Sequence, residues 1–169
     1  MLLAYVAAVL DRDLRTLSRE IASYADERDL WRVAPGVPNS AGTLALHLAG
    51  NIRHYLGARL GGTGYVRDRP AEFAERGVAR ADLLERIEAA RAAVRAAAAA
   101  EVDTSADFPE LINDARIVTG DYLLHLCTHF AFHLGQLDYH RRFVTGDAAG
   151  VGAVRPAELG SVRPAVDAG

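Results

Sequence analysis

Six histidines fall into two groups, His47 and His54 in one segment and His125, His129, His133 and His140 in another. Residues four apart on an α-helix lie about 40° apart around the axis and ~6 Å apart along it, so two histidines at that spacing can chelate one cation. The string HLCTHFAFHLGQ offers two such pairs, His125 with His129 and His129 with His133, and spacing does not choose between them. Tetrahedral zinc takes imidazole nitrogens at about 2.0 to 2.1 Å, and a site that keeps one position open takes three protein ligands. His47, mid-helix in an otherwise apolar turn, is the natural third donor. A lone histidine on an apolar helix face is more often a hydrogen-bonded core residue. Three along one stripe alter that balance, because each buried imidazole left without a polar partner costs about 1 to 3 kcal/mol and a shared metal removes the cost.

The remaining candidates carry less. His140 precedes Arg141 and Arg142 near a helix end, where cations suit the dipole, and is expected to be structural or exposed. His54 lies seven residues after His47, nearly on the same face, and is assigned a packing or surface role. Phe130 stands where the HEXXH metalloprotease motif needs its glutamate, which argues against peptidase chemistry. Cys127 is offset from the His125–His129 pair around the helix and is expected to pack rather than attack.

Four amphipathic segments must position these residues. Leu3, Val6, Leu10, Leu14, Leu17, Ile21 and Tyr24 recur at spacings of three and four, predicting a first helix over about 2–25. WRVAPGVPNS is a loop ending in Ser40, an N-cap for a second helix over about 41–60. Residues 61–79 mix glycine, Pro70 and charge without a period and are expected to form a long ordered connection, a class often functional. A third helix over about 80–101 ends in an alanine run that lets a neighbour approach closely. Thr119 is expected to cap a fourth, over about 120–144, with Asp121 in its first turn. No strand pattern appears, so the fold class is all-α, a four-helix bundle with long connections over residues 1–146, followed by an extended or partly disordered tail over 147–169.

Composition narrows the function classes. At 169 residues the chain suits one domain. No apolar run approaches the ~20 residues needed to span a bilayer, so no membrane role is expected. The opening MLLAYVAAVLDRDL lacks the basic flank and cleavage site of a signal peptide and is read as the first helix. Net charge is −3 with signs interspersed, which argues against nucleic acid as a partner. A single cysteine excludes an internal disulfide and fits a reducing compartment, the cytoplasm.

Three strings, NSAGTLALHLAGNIRHYLG, VRDRPAEF and HLCTHFAFHLGQ, resemble the DinB-like superfamily of metal-binding four-helix proteins, which includes bacillithiol S-transferases and mycothiol-dependent maleylpyruvate isomerases. The resemblance covers most of the chain. It implies zinc or nickel held by one histidine of the second helix and an H-x-x-x-H pair just before Gly-Gln, which here are His47, His129 and His133 ahead of Gly135 and Gln136. His125 then becomes a neighbour of the ligands. Some members carry arginine between the last histidine and the glycine, where this chain has Leu134, so an anion-anchoring role does not carry over there. The resemblance also leaves room for a homodimer.

Two functions follow. In the first, the open metal position binds a low-molecular-weight thiol and favours its thiolate, for transfer to a small-molecule substrate, with His125 assisting proton transfer ahead of Tyr122 or His54. In the second, a metal-binding or stress-associated protein without turnover, the ion ties two helices together. A metal-free bundle with core histidines stands third.

Overall fold

The computed structural model describes residues 1–163. Five α-helices carry the chain, α1 (Leu2–Ala22), α2 (Ala41–Ile52), α3 (Arg69–Ala74), α4 (Arg80–Ala99) and α5 (Thr119–Thr145), with no strand among the described residues. The fold is an all-α bundle of the DinB-like kind, and no helix among those residues is long and apolar enough to cross a membrane. Four of the helices are the long predicted ones. The fifth, α3, lies inside the stretch 61–79, where the sequence predicts a long ordered connection.

Periodicity explains the packing. The stripe read from the first segment is buried along its length, with Leu10, Leu14, Leu17 and Ile21 fully covered, each such side chain stabilising by about 1.5 to 3 kcal/mol relative to exposure. α1 packs on α4 and α5, while α2 packs on α4, α3 and α5. The alanines of α4 do what small residues allow: a Cβ added to Gly57 would lie 2.8 Å from the Cβ of Ala93. Chain and helix cannot come this close with larger side chains between them.

Boundaries depart from expectation in two places. The second helix does not run uniformly to residue 60, because Arg53–Ala58 form a π-helical turn in which Arg59 N–H donates to the His54 carbonyl at 3.0 Å. Such turns are rare and frequent near functional sites. Ser40 caps α2 as expected, its hydroxyl accepting from Thr43 N–H. Thr119 does not cap α5, because it is already inside the helix, and its N–H donates to the Ala106 carbonyl at 2.9 Å.

The described part of the tail lies against the bundle. Beyond Gly146, which ends α5 in the left-handed conformation, residues 147–163 form irregular backbone with one 3-10 turn, Pro156–Glu158. Arginines tie this backbone to the bundle: Arg141 donates to the Ala149 carbonyl, Arg15 to the Glu158 carbonyl, and Arg19 both to the Gly152 carbonyl and to the Glu158 carboxylate. Residues 164–169, the rest of the expected extended tail, lie outside the described residues.

Between α1 and α5 a polar cluster replaces apolar packing. Arg141 and Glu20 form a buried ion pair at 2.6 Å. His140, 2 % exposed, meets the Tyr24 hydroxyl through Nδ1 at 2.8 Å and the Arg32 carbonyl through Nε2 at 2.7 Å. A carbonyl only accepts, so Nε2 carries the proton and Nδ1 accepts from Tyr24, fixing one neutral tautomer. His140 is therefore structural and fully buried.

Burial pushes the His140 pKa below the ordinary value. The unfolded chain then binds the proton more readily, so this residue's stabilising contribution is complete above pH ~6.5 and is lost as pH falls. Metal-free protein is expected to lose unfolding free energy between neutral pH and pH ~5.5, and His140→Gln to lose less over the same window. Urea titrations at several pH values check this, and parallel slopes for the two proteins would refute it.

Candidate metal centre

α2 and α5 bring His47, His129 and His133 together. One ring nitrogen from each lies within 4.8 Å of the other two, the only such group of potential metal ligands among the described residues. His47 Nε2 stands 3.4 Å from His129 Nε2, close to the ~3.3 Å that separates two ligands of a tetrahedral zinc with bonds near 2.05 Å. The ring centroids of His47 lie 5.3 Å from those of both His129 and His133, in edge-to-face arrangements.

Hydrogen bonds fix which nitrogens face inward. His47 Nδ1 lies 3.0 Å from Glu72 Oε2, and a carboxylate only accepts, so Nδ1 is the protonated nitrogen and Nε2 presents its lone pair. His133 Nδ1 meets Gln136 Oε1 at 2.8 Å, which leaves Nε2 in the same state. His129 Nδ1 is buried without a partner. Burial, followed by the neighbouring His133 and His47, pulls the His129 pKa down to about 4, and burial also lowers that of His133. At neutral pH His129 and His133 are therefore uncharged, the state in which imidazole binds a cation. The donor set therefore fits a divalent ion that accepts nitrogen ligands.

Glu72 is the residue that sequence reasoning missed. It sits on α3, a helix started by the Asp68 side chain accepting from Ala71 N–H and by Pro70 in the first turn. Arg67 grips both carboxylate oxygens, Nε to Oε1 at 2.7 Å and Nη2 to Oε2 at 2.8 Å. Burial raises the Glu72 pKa, but the hydrogen bonds from Arg67 and His47 outweigh it and hold the carboxyl below its ordinary range. Glu72 is thus an anion that orients His47, an arrangement that recurs behind metal-bound histidines. Two further contacts fix the geometry. Phe73 lies against the His47 ring at 4.9 Å, and a Cβ on Gly50 would collide with the Glu72 carboxylate. Only glycine at position 50 lets α3 dock this deeply. The sequence held a signal in Asp68-x-Pro70, a helix start within the connection.

Other predicted residues fall where chemistry separates them. His125 is exposed one turn before His129, its ring 5.8 Å from that of His129 and stacked on Tyr122 at 5.6 Å. His54 is drawn to Glu110, 3.0 Å from Nε2, and Glu110 also pairs with Arg59. Phe130 and Leu134 are core residues. Burial raises the Cys127 thiol to about 11, so it stays protonated at neutral pH.

Fold and site together define an all-α bundle with a three-histidine cluster able to hold a metal ion. The chain belongs to the mycothiol-S-transferase family, whose model matches residues 5–146. Comparison with curated proteins gives no match, and comparison with solved structures gives none.

If Glu72 orients His47, Glu72→Gln and Gly50→Ala each lower zinc affinity by about 10- to 100-fold while helix content is kept. Chelator competition measures this. Wild-type affinity in both variants would show that Glu72 is incidental.

Proposed function

We propose that the chain is a metal-dependent transferase in which His47, His129 and His133 hold one divalent ion, zinc or nickel, and a low-molecular-weight thiol supplies the nucleophile. The family's name makes mycothiol the first thiol to test. When bound, such an ion provides a Lewis-acidic position at which a thiol is held as thiolate well below its free pKa of ~8.5.

The chain's own residues have separate tasks. Glu72 and Gln136 keep the inward nitrogens of His47 and His133 unprotonated. His125, at the exposed edge beside His129, is assigned proton transfer to or from the thiol or the acceptor. Cys127, protonated and packed against the core, is no competing nucleophile. A reducing compartment such as the cytoplasm suits both this lone thiol and a thiol cofactor.

The observation that carries the reading is the number of converging ligands. A structural zinc site usually has four protein ligands, whereas a catalytic one has three and an exchangeable position. Three gather among the described residues, which favours turnover over a purely binding or stress-associated role.

Cobalt substitution tests it. Millimolar thiol is expected to add a sulfur-to-metal charge-transfer band in the near ultraviolet to the Co(II) protein, and Cys127→Ser to leave that band intact. His125→Gln is expected to keep the metal and lose about 100-fold or more in transfer rate. A cobalt spectrum indifferent to every physiological thiol offered would contradict the transferase reading.

A further inference from the structure

The histidine cluster has unlike neighbours along α5. Towards the N-terminal end of the helix lie Tyr122 and His125, which stack on each other. Towards the C-terminal end, a cavity of about 490 Å³ has His133 and Gln136 in its lining, continues past Tyr139 to Phe143, and is bounded opposite by Val37, Pro38 and Leu44. This volume suits a small molecule.

No charged residue lines this cavity. Its titratable rings have no spare capacity for an anion. His140 has both nitrogens committed to Tyr24 and to the Arg32 carbonyl, and His133 gives Nδ1 to Gln136. Arg32, in the adjoining depression beyond Val37 and Phe143, is held by Asp29 and by the Val144 carbonyl. What remains is neutral: the amides of Asn39 and Gln136 and the Tyr139 hydroxyl. In the metal-free protein a carboxylate or phosphate entering here would shed water with no cationic side chain in the lining to replace it.

The geometry points to this cavity as the subsite for the electrophile, and to an uncharged electrophile with an apolar body of one or two rings. The electrophile role rests on the transferase reading, whereas the preference for an uncharged apolar body follows from the lining alone. For an aryl halide, the thiolate sulfur gives its lone pair to the ring carbon, the carbon–sulfur bond forms, and the halide leaves with the electron pair of the broken carbon–halogen bond. No oxidant or reductant is required.

A matched pair of dyes tests the preference without thiol or metal. N-phenyl-1-naphthylamine and 8-anilino-1-naphthalenesulfonate share one fluorescent skeleton and differ by one negative charge. The uncharged dye is expected to bind about tenfold or more tightly than the sulfonate. Phe143 is 71 % exposed, so Phe143→Arg should fold normally. It is expected to weaken the uncharged dye and bring the sulfonate level with it, while Tyr5→Arg on α1 changes neither. Equal affinity for the two dyes, or indifference to Phe143→Arg, would overturn the assignment. A second arm follows transfer of thiol to 1-chloro-2,4-dinitrobenzene by the metal-loaded protein. Loss of rate in Phe143→Arg supports the subsite, and an unchanged rate overturns it. Dye binding as expected with no transfer would sink the transferase reading and leave the cavity's preference standing.

Discussion

The hydrogen bond from His47 Nδ1 to Glu72 is the contact on which the rest of the site depends. An imidazole in an apolar helix interface must satisfy two nitrogens, and here one is given to a carboxylate and the other to the space shared with His129 and His133. The carboxylate is itself buried, a state that is costly unless the charge is paired and hydrogen-bonded. Arg67 supplies the pairing with a two-pronged contact, and Gly50 supplies the room. Removing any one member leaves a buried polar group exposed to that cost, so α3, the Arg67 segment and α2 act as one unit.

Around this unit the bundle divides its polar groups by task. The Arg141–Glu20 pair and the Tyr24–His140–Arg32 chain join α1 to α5 and to the loop that follows α1, away from solvent, and there both nitrogens of His140 are satisfied while Glu20 keeps one carboxylate oxygen, Oε1, unpartnered. The three-histidine cluster is the opposite case. His129 Nδ1 is buried with no partner, and two ring nitrogens face one another at 3.4 Å with only one proton at most between them. Well-folded proteins rarely leave buried polar atoms this way unless a ligand completes them. His140 and His129 lie on one helix, the first buried with both ring nitrogens bonded and the second half-buried with Nδ1 unpartnered.

Sequence patterning made the four long helices legible because each repeats an apolar stripe over several turns. His129 and His133 were legible as a chelating pair because they share one helix face, although the choice of that pair over His125 with His129 came from the family resemblance. Three features were not legible. α3 is only six residues long, too short for periodicity, and its role lies in one glutamate reaching back to α2. The π-helical turn leaves no compositional trace, yet it separates His54 from the His47 stripe and leaves it facing Glu110. Tail docking depends on arginines donating to main-chain carbonyls, contacts that carry no residue-type signature on the accepting side.

X-ray absorption on zinc-loaded protein, prepared without a histidine tag, tests the central claim most directly. The account predicts three imidazole nitrogens at about 2.0 to 2.1 Å with their characteristic outer-ring scattering, plus one lighter or exchangeable ligand that becomes sulfur at about 2.3 Å when thiol is added. A first shell of oxygen alone, or zinc bound with fewer than two imidazoles, would contradict it.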